Sequence, residues 1–441
     1  MKLKISKGLD LKLAGALTTA QFTEIKPPRC AVAPDDFPGF EPKLDVKEGD
    51  EVKIGSKLMH DKKNPIVCLV SPVSGKVKSI VRGERRRIVH VIIESDNKNN
   101  AESFDVNMSL VELLGASGLL AMMRRRPYDI VPSTESKPRD IFVTAMDTAP
   151  LAPSLLYGLF EDAKSVLVVA VKALKTLTSG TVYLSHDSSW QFGDITGAEM
   201  VEVQGKHPAG NVGVQIANIS PVNKGEDVWT LDVVTLYKIG QLLLTGTLDP
   251  MVTIAVVGPE VARPSLLRTA VGCDIKPLLA GLLKDIRHHI RIISGNVLTG
   301  VAVDEADGFL HYPYRQVTVI AEGDDVNEFM GWASLSPSKL SVSRSFPLRF
   351  LRKVFSPDAR LLGGRRAMIM SGEYEKVLPM DIMAEYLFKA IISRNIDEME
   401  ALGIYEIAPE DVALCEFVDT SKLPVQQIVR EGLDFLRREL E

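Results

Sequence analysis

Cysteine is scarce: the 441 residues hold four, Cys30, Cys68, Cys273 and Cys415, with no two close in sequence. No C-x-x-C occurs, which argues against a locally encoded iron–sulfur or zinc site. Four isolated thiols suit a reducing compartment. The seven histidines show no metal spacing, and the adjacent His288 and His289 would leave a helix on different sides. Long apolar runs are missing too. The best one, residues 166–171, is broken by Lys172 and falls far short of the roughly 20 residues that span a bilayer. The MKLKISK start is positively charged, but no apolar core or small-residue cleavage site follows, so no secretory signal is expected. There is no Walker loop, no G-x-G-x-x-G and no G-x-S-x-G. With 52 basic and 57 acidic side chains the net charge is −5, which removes the global positive field that nucleic acid would require.

What is present is ordinary globular composition, 45% hydrophobic and 25% charged, at a length that predicts about three domains. The first ~100 residues alternate in short β-rich stretches, 43–46, 51–54, 66–70, 76–81 and 88–94, separated by Glu48-Gly49-Asp50 and Ser74-Gly75 turns. From about 105 to 258 the pattern becomes α/β. A capping box at Ser109–Glu112 opens a helix expected to run toward Arg124, and a strand follows at 141–146. A helix at 165–174, a strand at 181–184, a helix at 228–244 and a buried strand at 251–257 complete the layer. Residues 259–335 read as a small α+β module with strands at 291–294 and 316–321 and a helix at 276–285. Residues 336–378 form a basic connection, and 379–441 are helical at 381–393, 409–417 and 424–440.

Four motifs carry chemistry. PKLDVKEGDEVKIGSKL followed by SPVSGKV is the pattern of a biotinyl/lipoyl-type barrel-sandwich hybrid. Lys62 and Lys63 fall near its hairpin tip, but thirteen and twelve residues before Gly75 instead of about eleven. The Met-Lys-Met or Asp-Lys-Ala surroundings of a modified lysine are also missing. The run 82–87 reads as a charged hairpin turn guarding a sheet edge. Arg124-Arg125-Arg126 reads either as a helix end or, beside Tyr128, as donors to an anion or a carbonyl. Residues 341–370 carry seven basic side chains against Asp358, a charge of +6, interleaved with Phe346, Phe350 and Phe355. An anionic surface or a partner protein fits that pattern, and a solvated loop is the plain alternative.

Several segments together resemble one family. SKGLDLKLAG (6–15), FPGFEPKLDVKEGD (37–50), DKKNP (61–65), RGER (82–85), IFVTAMDTAPL (141–151) and HPAG (207–210) resemble the A subunit of the Na+-translocating NADH:quinone oxidoreductase. So do ISGNVLTG (293–300), QVTVIAEGDDVNEFMGW (316–332), GGRRAMIMSGEYEKVLPMDI (363–382) and EDVALCEFV (410–418), in the same order along the chain. The resemblance implies a multidomain α/β and α+β chain. It would comprise a barrel-sandwich hybrid at 1–104, a degenerate, Rossmann-like flavoprotein domain at 105–258 and a small β-grasp (SLBB-like) domain at 259–335. The basic segment and C-terminal helices would follow.

The family is related to Rnf-type electron-transfer subunits and the complex I flavoprotein subunit, which hold FMN on a glycine-rich loop. Where that loop would lie this chain reads LAMMRRRP (120–127), and where an acidic strand end would lie it reads TAMDTAP (144–150), leaving only Asp147. Cys415 stands alone, with Asp419 four residues on where many members have a second cysteine. The resemblance therefore implies a subunit that binds no cofactor itself, with flavins and the 2Fe-2S cluster on other subunits and quinone as substrate. It further implies a peripheral place on the cytoplasmic face of the bacterial inner membrane, docked on a membrane subunit. Phe37, Pro38, Phe40, Arg126 and Tyr128 are candidate quinone contacts, supplying an apolar slot and donors. Arg344, Arg349, Arg352 and Lys353 are candidates for docking. The alternatives are an Rnf-type subunit with FMN and iron–sulfur centres, and a lipoyl or biotin carrier module.

Overall fold

The fold is a computed structural model that describes residues 1–285, 287–326, 335–343 and 345–441. Short alternating strands build the first β unit. Arg29–Val32, Ile88–Ser95, Gly75–Arg82 and Glu51–Val52 form an antiparallel sheet in that order, and Pro42–Leu44, Lys57–Asp61 and Cys68–Val70 form a second. Leu58, Met59, Val67, Leu69, Val77, Val91 and Ile93 are buried in the same core. Lys62 and Lys63 are exposed between Lys57–Asp61 and Cys68–Val70.

The α/β layer has a six-stranded sheet in the order Lys2–Lys4, Glu199–Gln204, Val182–His186, Asp140–Thr144, Val228–Asp232, Arg124–Arg126. Every neighbouring pair is parallel except the last. Ile141 and Val143 share one core with helices Ala163–Leu174 and Val233–Thr245, while Phe142 packs with Val212 and Ile216 of helix Val212–Ile219. The alternation sends successive side chains to opposite faces, so both faces are covered.

The third unit has a sheet of its own, in the order Val301–Val303, Ile290–Ser294, Gln316–Ala321, Met251–Val257, Ser265–Ala270, Phe22–Glu24. Helices Ala384–Ser393, Ile396–Ala401, Ala413–Val418 and Val425–Leu440 close the chain around Leu387, Phe388, Ile391, Met399, Leu414, Leu433 and Leu436.

Several elements differ from expectation. The helix expected to reach Arg124 is only Leu110–Ala116, because Gly118 at φ +79 turns the chain, and Arg124–Arg126 is an edge strand, not a helix end. The helix expected at 228–244 begins as strand Val228–Asp232. Asp232 then caps helix Val233–Thr245 by accepting from the Thr235 N–H at 2.6 Å. The helix expected at 276–285 stops at Leu279 and is followed by Gly281 at φ +69. Strand Met251–Val257, read from its apolar run as part of the α/β layer, is central in the sheet of the third unit. The opening segment leaves the β unit altogether: Lys2–Lys4 pairs with Glu199–Gln204, and Phe22–Glu24 with Ser265–Ala270. Pairing with a distant strand leaves no local periodicity to read.

Candidate functional site

An apolar slot lies where the first β unit, the α/β layer and the third unit meet. Its cavity of about 60 Å³ is lined by Phe37 and Leu69 from the first, Met122 and Leu248 from the second, and Val271 and Tyr312 from the third, among others. The ring of Phe37 stacks on Tyr312 with centroids 5.2 Å apart and planes 9° from parallel. The Arg124 guanidinium lies 5.4 Å from the centroid of the same Tyr312 ring. Such contacts fix a ring's orientation as well as burying it.

Asp36 organises this pair. Its carboxylate accepts from the Tyr312 N–H at 2.9 Å and meets His311 Nδ1 at 2.7 Å, while its carbonyl accepts from Arg124 Nη2 at 2.9 Å. Burial opposes a charge on His311, yet Asp36 holds its pKa above the ordinary value. The Tyr312 hydroxyl donates to the Met122 carbonyl. Proline at the first position of the Pro34–Asp36 turn presets the backbone that aims Asp36 and Phe37.

The sequence-predicted residues separate into two groups. Phe37 lines the slot, and Phe40, also buried, belongs to the same core. Pro38 joins the two predicted segments, its carbonyl accepting from the Val131 N–H at 2.9 Å. Tyr128 belongs to the second core, with Arg125 over its ring at 5.7 Å. Arg126 is 2% exposed and turned to the C-terminal region. Its Nη1 lies 3.1 Å from Asp411 Oδ2, and its Nη2 lies 3.3 Å from Glu410 Oε1. Neither Tyr128 nor Arg126 lines the slot; from the arginine run Arg124 reaches the ring of Tyr312, which does.

Tyr312 and Asp36 escaped the sequence reading. The HYPYR run at 311–315, two tyrosines around a proline beside a histidine, is the signal that marks the first of them.

The parallel sheet reverses its strand order between Asp140–Thr144 and Val228–Asp232, the place where doubly wound sheets bind nucleotides. Here the chain's own side chains fill that place. Arg315 directs Nε (3.2 Å) and Nη2 onto Asp232 Oδ2, and Gln316 donates to the Pro150 carbonyl at 3.1 Å. Burial works against the Asp232 charge, but Arg315 and the Thr235 N–H keep its pKa below the usual carboxylate range. An arginine thus neutralises the acid and occupies the approach. Among the described residues no group of three or more His, Cys, Asp or Glu could hold a metal ion.

In the basic segment Arg352 and Lys353 are exposed; Arg344 lies outside the described residues, as does the side chain of Arg349. Phe350 is 74% exposed, and Leu351, Val354, Leu361 and Ile369 are exposed around it in sequence. Of the other two interleaved aromatics, Phe346 is buried, and Phe355 is half-buried with its N–H bonded to the Lys12 carbonyl. No described helix is long and apolar enough to cross a membrane.

Comparison with known proteins decides the family. Residues 3–96 match the NqrA N-terminal barrel-sandwich hybrid domain, 106–248 the NqrA second alpha/beta domain, and 253–305 the NQRA C-terminal domain. The A subunit of the Na(+)-translocating NADH-quinone reductase of Rhodopirellula baltica is 37% identical over 99% of this chain and 98% of its own length. That of Serratia proteamaculans is 37% identical over 99% and 100%.

The chain belongs to the A-subunit family of Na+-translocating NADH-quinone reductases.

As a member of the A-subunit family it is one subunit of an oxidoreductase complex. The barrel-sandwich hybrid, α/β and SLBB parts that the sequence implied are those of this family. Among solved structures, an NAD+-reducing nickel–iron hydrogenase in the H2-reduced state aligns at 10% identity with a TM-score of 0.34. The alignment covers 68% of this chain and 55% of the hydrogenase chain.

Proposed function

We propose that this chain is the peripheral, redox-group-free subunit of a Na+-pumping NADH:quinone reductase and that it binds quinone in the apolar slot that the Phe37–Tyr312 pair lines. The slot carries the reading: a flat ring needs apolar walls, parallel aromatic faces and a few donors, and the lining has these types. Phe37 is the direct contact. Pro38, Phe40, Tyr128 and Arg126 hold the two segments that frame it, through the Pro38–Val131 bond and the buried Arg126–Asp411 pair. Flavins and the 2Fe-2S cluster then belong to other subunits, a division supported by the Arg315–Asp232 pair filling the nucleotide crevice.

Docking at the cytoplasmic face, on a membrane-embedded partner, uses Arg352 and Lys353, with Arg344 and Arg349 in the same basic run and Phe350 as apolar anchor. The charge of +6 over residues 341–370, in a chain of −5, supports that assignment. Free, buried thiols at all four cysteines fit a cytoplasmic setting.

The test is photolabelling of the whole chain, in its membrane complex, with an azido-quinone, followed by peptide mapping. Label in 31–40 or around Tyr312 is expected. Label wholly outside residues 31–40, 69–72, 118–134, 248–250, 271–272 and 310–312 would remove the quinone assignment.

A further inference from the structure

Behind the slot is a second, smaller cavity of about 20 Å³. The two share Met122, Val271, Leu310 and Tyr312, so those side chains are a common wall. The inner cavity is as apolar overall as the outer slot, but Thr235, Lys238, Tyr314 and Arg315 join its lining.

Lys238 is 4% exposed on helix Val233–Thr245, which is a rare place for an ammonium. Its Nζ donates to the carbonyls of Asp249 and Met251, both at 2.7 Å. An ammonium has three donors, so one remains after these two bonds. Among the described residues no carboxylate lies within salt-bridge distance of Lys238, and burial pushes its pKa down to about 8. Structure alone does not require a lysine here, since two carbonyls beside a cavity are satisfied equally well by water or a neutral donor.

We infer that Lys238 is a specificity-determining residue of the quinone slot, donating its remaining N–H to one ring carbonyl that reaches past Tyr312. This rests on the quinone reading above. The ring lies against the Phe37–Tyr312 pair in the outer slot, with one carbonyl directed at the shared wall. One carbonyl then meets a charged donor while the other faces the outer side, so the two ends of the ring become inequivalent. Hydrogen bonds to charged donors are stronger than neutral ones, and a carbonyl-free ring would leave the donor unmatched.

The experiment uses the full chain and two probes of matched shape, a short-chain dimethoxy-methyl-benzoquinone and its carbonyl-free methoxybenzene counterpart, with affinities measured by calorimetry. Wild type is expected to prefer the quinone by about tenfold. Lys238→Met should erase the preference while holding the affinity for the carbonyl-free ring within about twofold. A Lys238→Met chain that keeps the preference overturns the role of Lys238 and leaves the quinone reading standing. Wild type that binds neither probe overturns both. Infrared spectra of the quinone bound to wild type test the same point without a variant: one carbonyl band shifted to lower frequency is expected, and two unshifted, equivalent carbonyls would refute the inference.

Discussion

Arg126 and Asp411, 285 residues apart in sequence, meet at 3.1 Å with both side chains withdrawn from solvent. The contact ties the edge strand of the α/β sheet to the C-terminal region. Asp411 also accepts from the Ala408 N–H at 2.9 Å, and a Cβ on Gly213 would lie 2.1 Å from its Oδ2. Removing only the arginine strands a carboxylate in the interior. Arg126→Met is therefore expected to lower stability by about 3–5 kcal/mol. Adding Asp411→Asn should recover a large part of that loss. Urea unfolding of both variants checks it, and equal midpoints for single and double variants would show the pair to be uncoupled.

Gly75 illustrates a backbone constraint. Its φ is +154, and a Cβ would sit 1.9 Å from the Glu94 carbonyl. Gly225 also has positive φ, +81, but nothing lies within 4 Å of a Cβ there. Gly75→Ala should cost several times more than Gly225→Ala, which is expected near 1 kcal/mol. Thermal unfolding of the two variants side by side is the measurement.

His207 makes stability depend on pH. It is 3% exposed, its Nδ1 lies 3.2 Å from Thr148 Oγ1, and its Nε2 is buried without a partner. Burial pushes its pKa down to about 4, below the ordinary value near 6.5. The unfolded chain therefore takes up the proton first. The stability is present above pH 6.5 and is lost as pH falls toward 4, a change of about 3 kcal/mol in full. Urea midpoints at pH 7 and pH 4.5 should differ by less in His207→Asn than in wild type. An identical difference in both would assign the acid loss to other groups.

The exposed basic and apolar residues predict a salt-sensitive attachment. Arg352→Glu with Lys353→Glu should release the chain from membranes of the assembled complex at moderate salt, and Phe350→Ser should add to the effect. Each cation near an anionic surface is worth about 1 kcal/mol or less. Folding should be unaffected, because exposed charges contribute little to stability. Circular dichroism and membrane sedimentation together read both outcomes. Retention of the triple variant on membranes as tight as wild type would dismiss this docking face.

Local patterns carried a large part of the architecture. Alternating apolar residues and glycine turns were enough for the strands of the β unit, since side-chain direction along a strand depends only on parity. The apolar stripe of Val425–Leu440, with Val425, Val429, Leu433 and Leu436 buried, was equally legible from spacing of three and four. Phe37 was visible as an aromatic beside a proline. What sequence alone left undecided involves partners far away. Strand Lys2–Lys4 has no pattern of its own and is made by Glu199–Gln204. The arginine run looked like a helix end because cations favour one. Only pairing with Val228–Asp232 makes it a strand, placing Arg124 beside Tyr312 and Arg126 beside Asp411. The slot itself is a property of three units meeting, and Phe37 and Tyr312 stack only because Asp36 holds the 311–312 backbone across 276 residues of chain. Short-range periodicity determines what each segment can become, while long-range burial and pairing decide which faces meet.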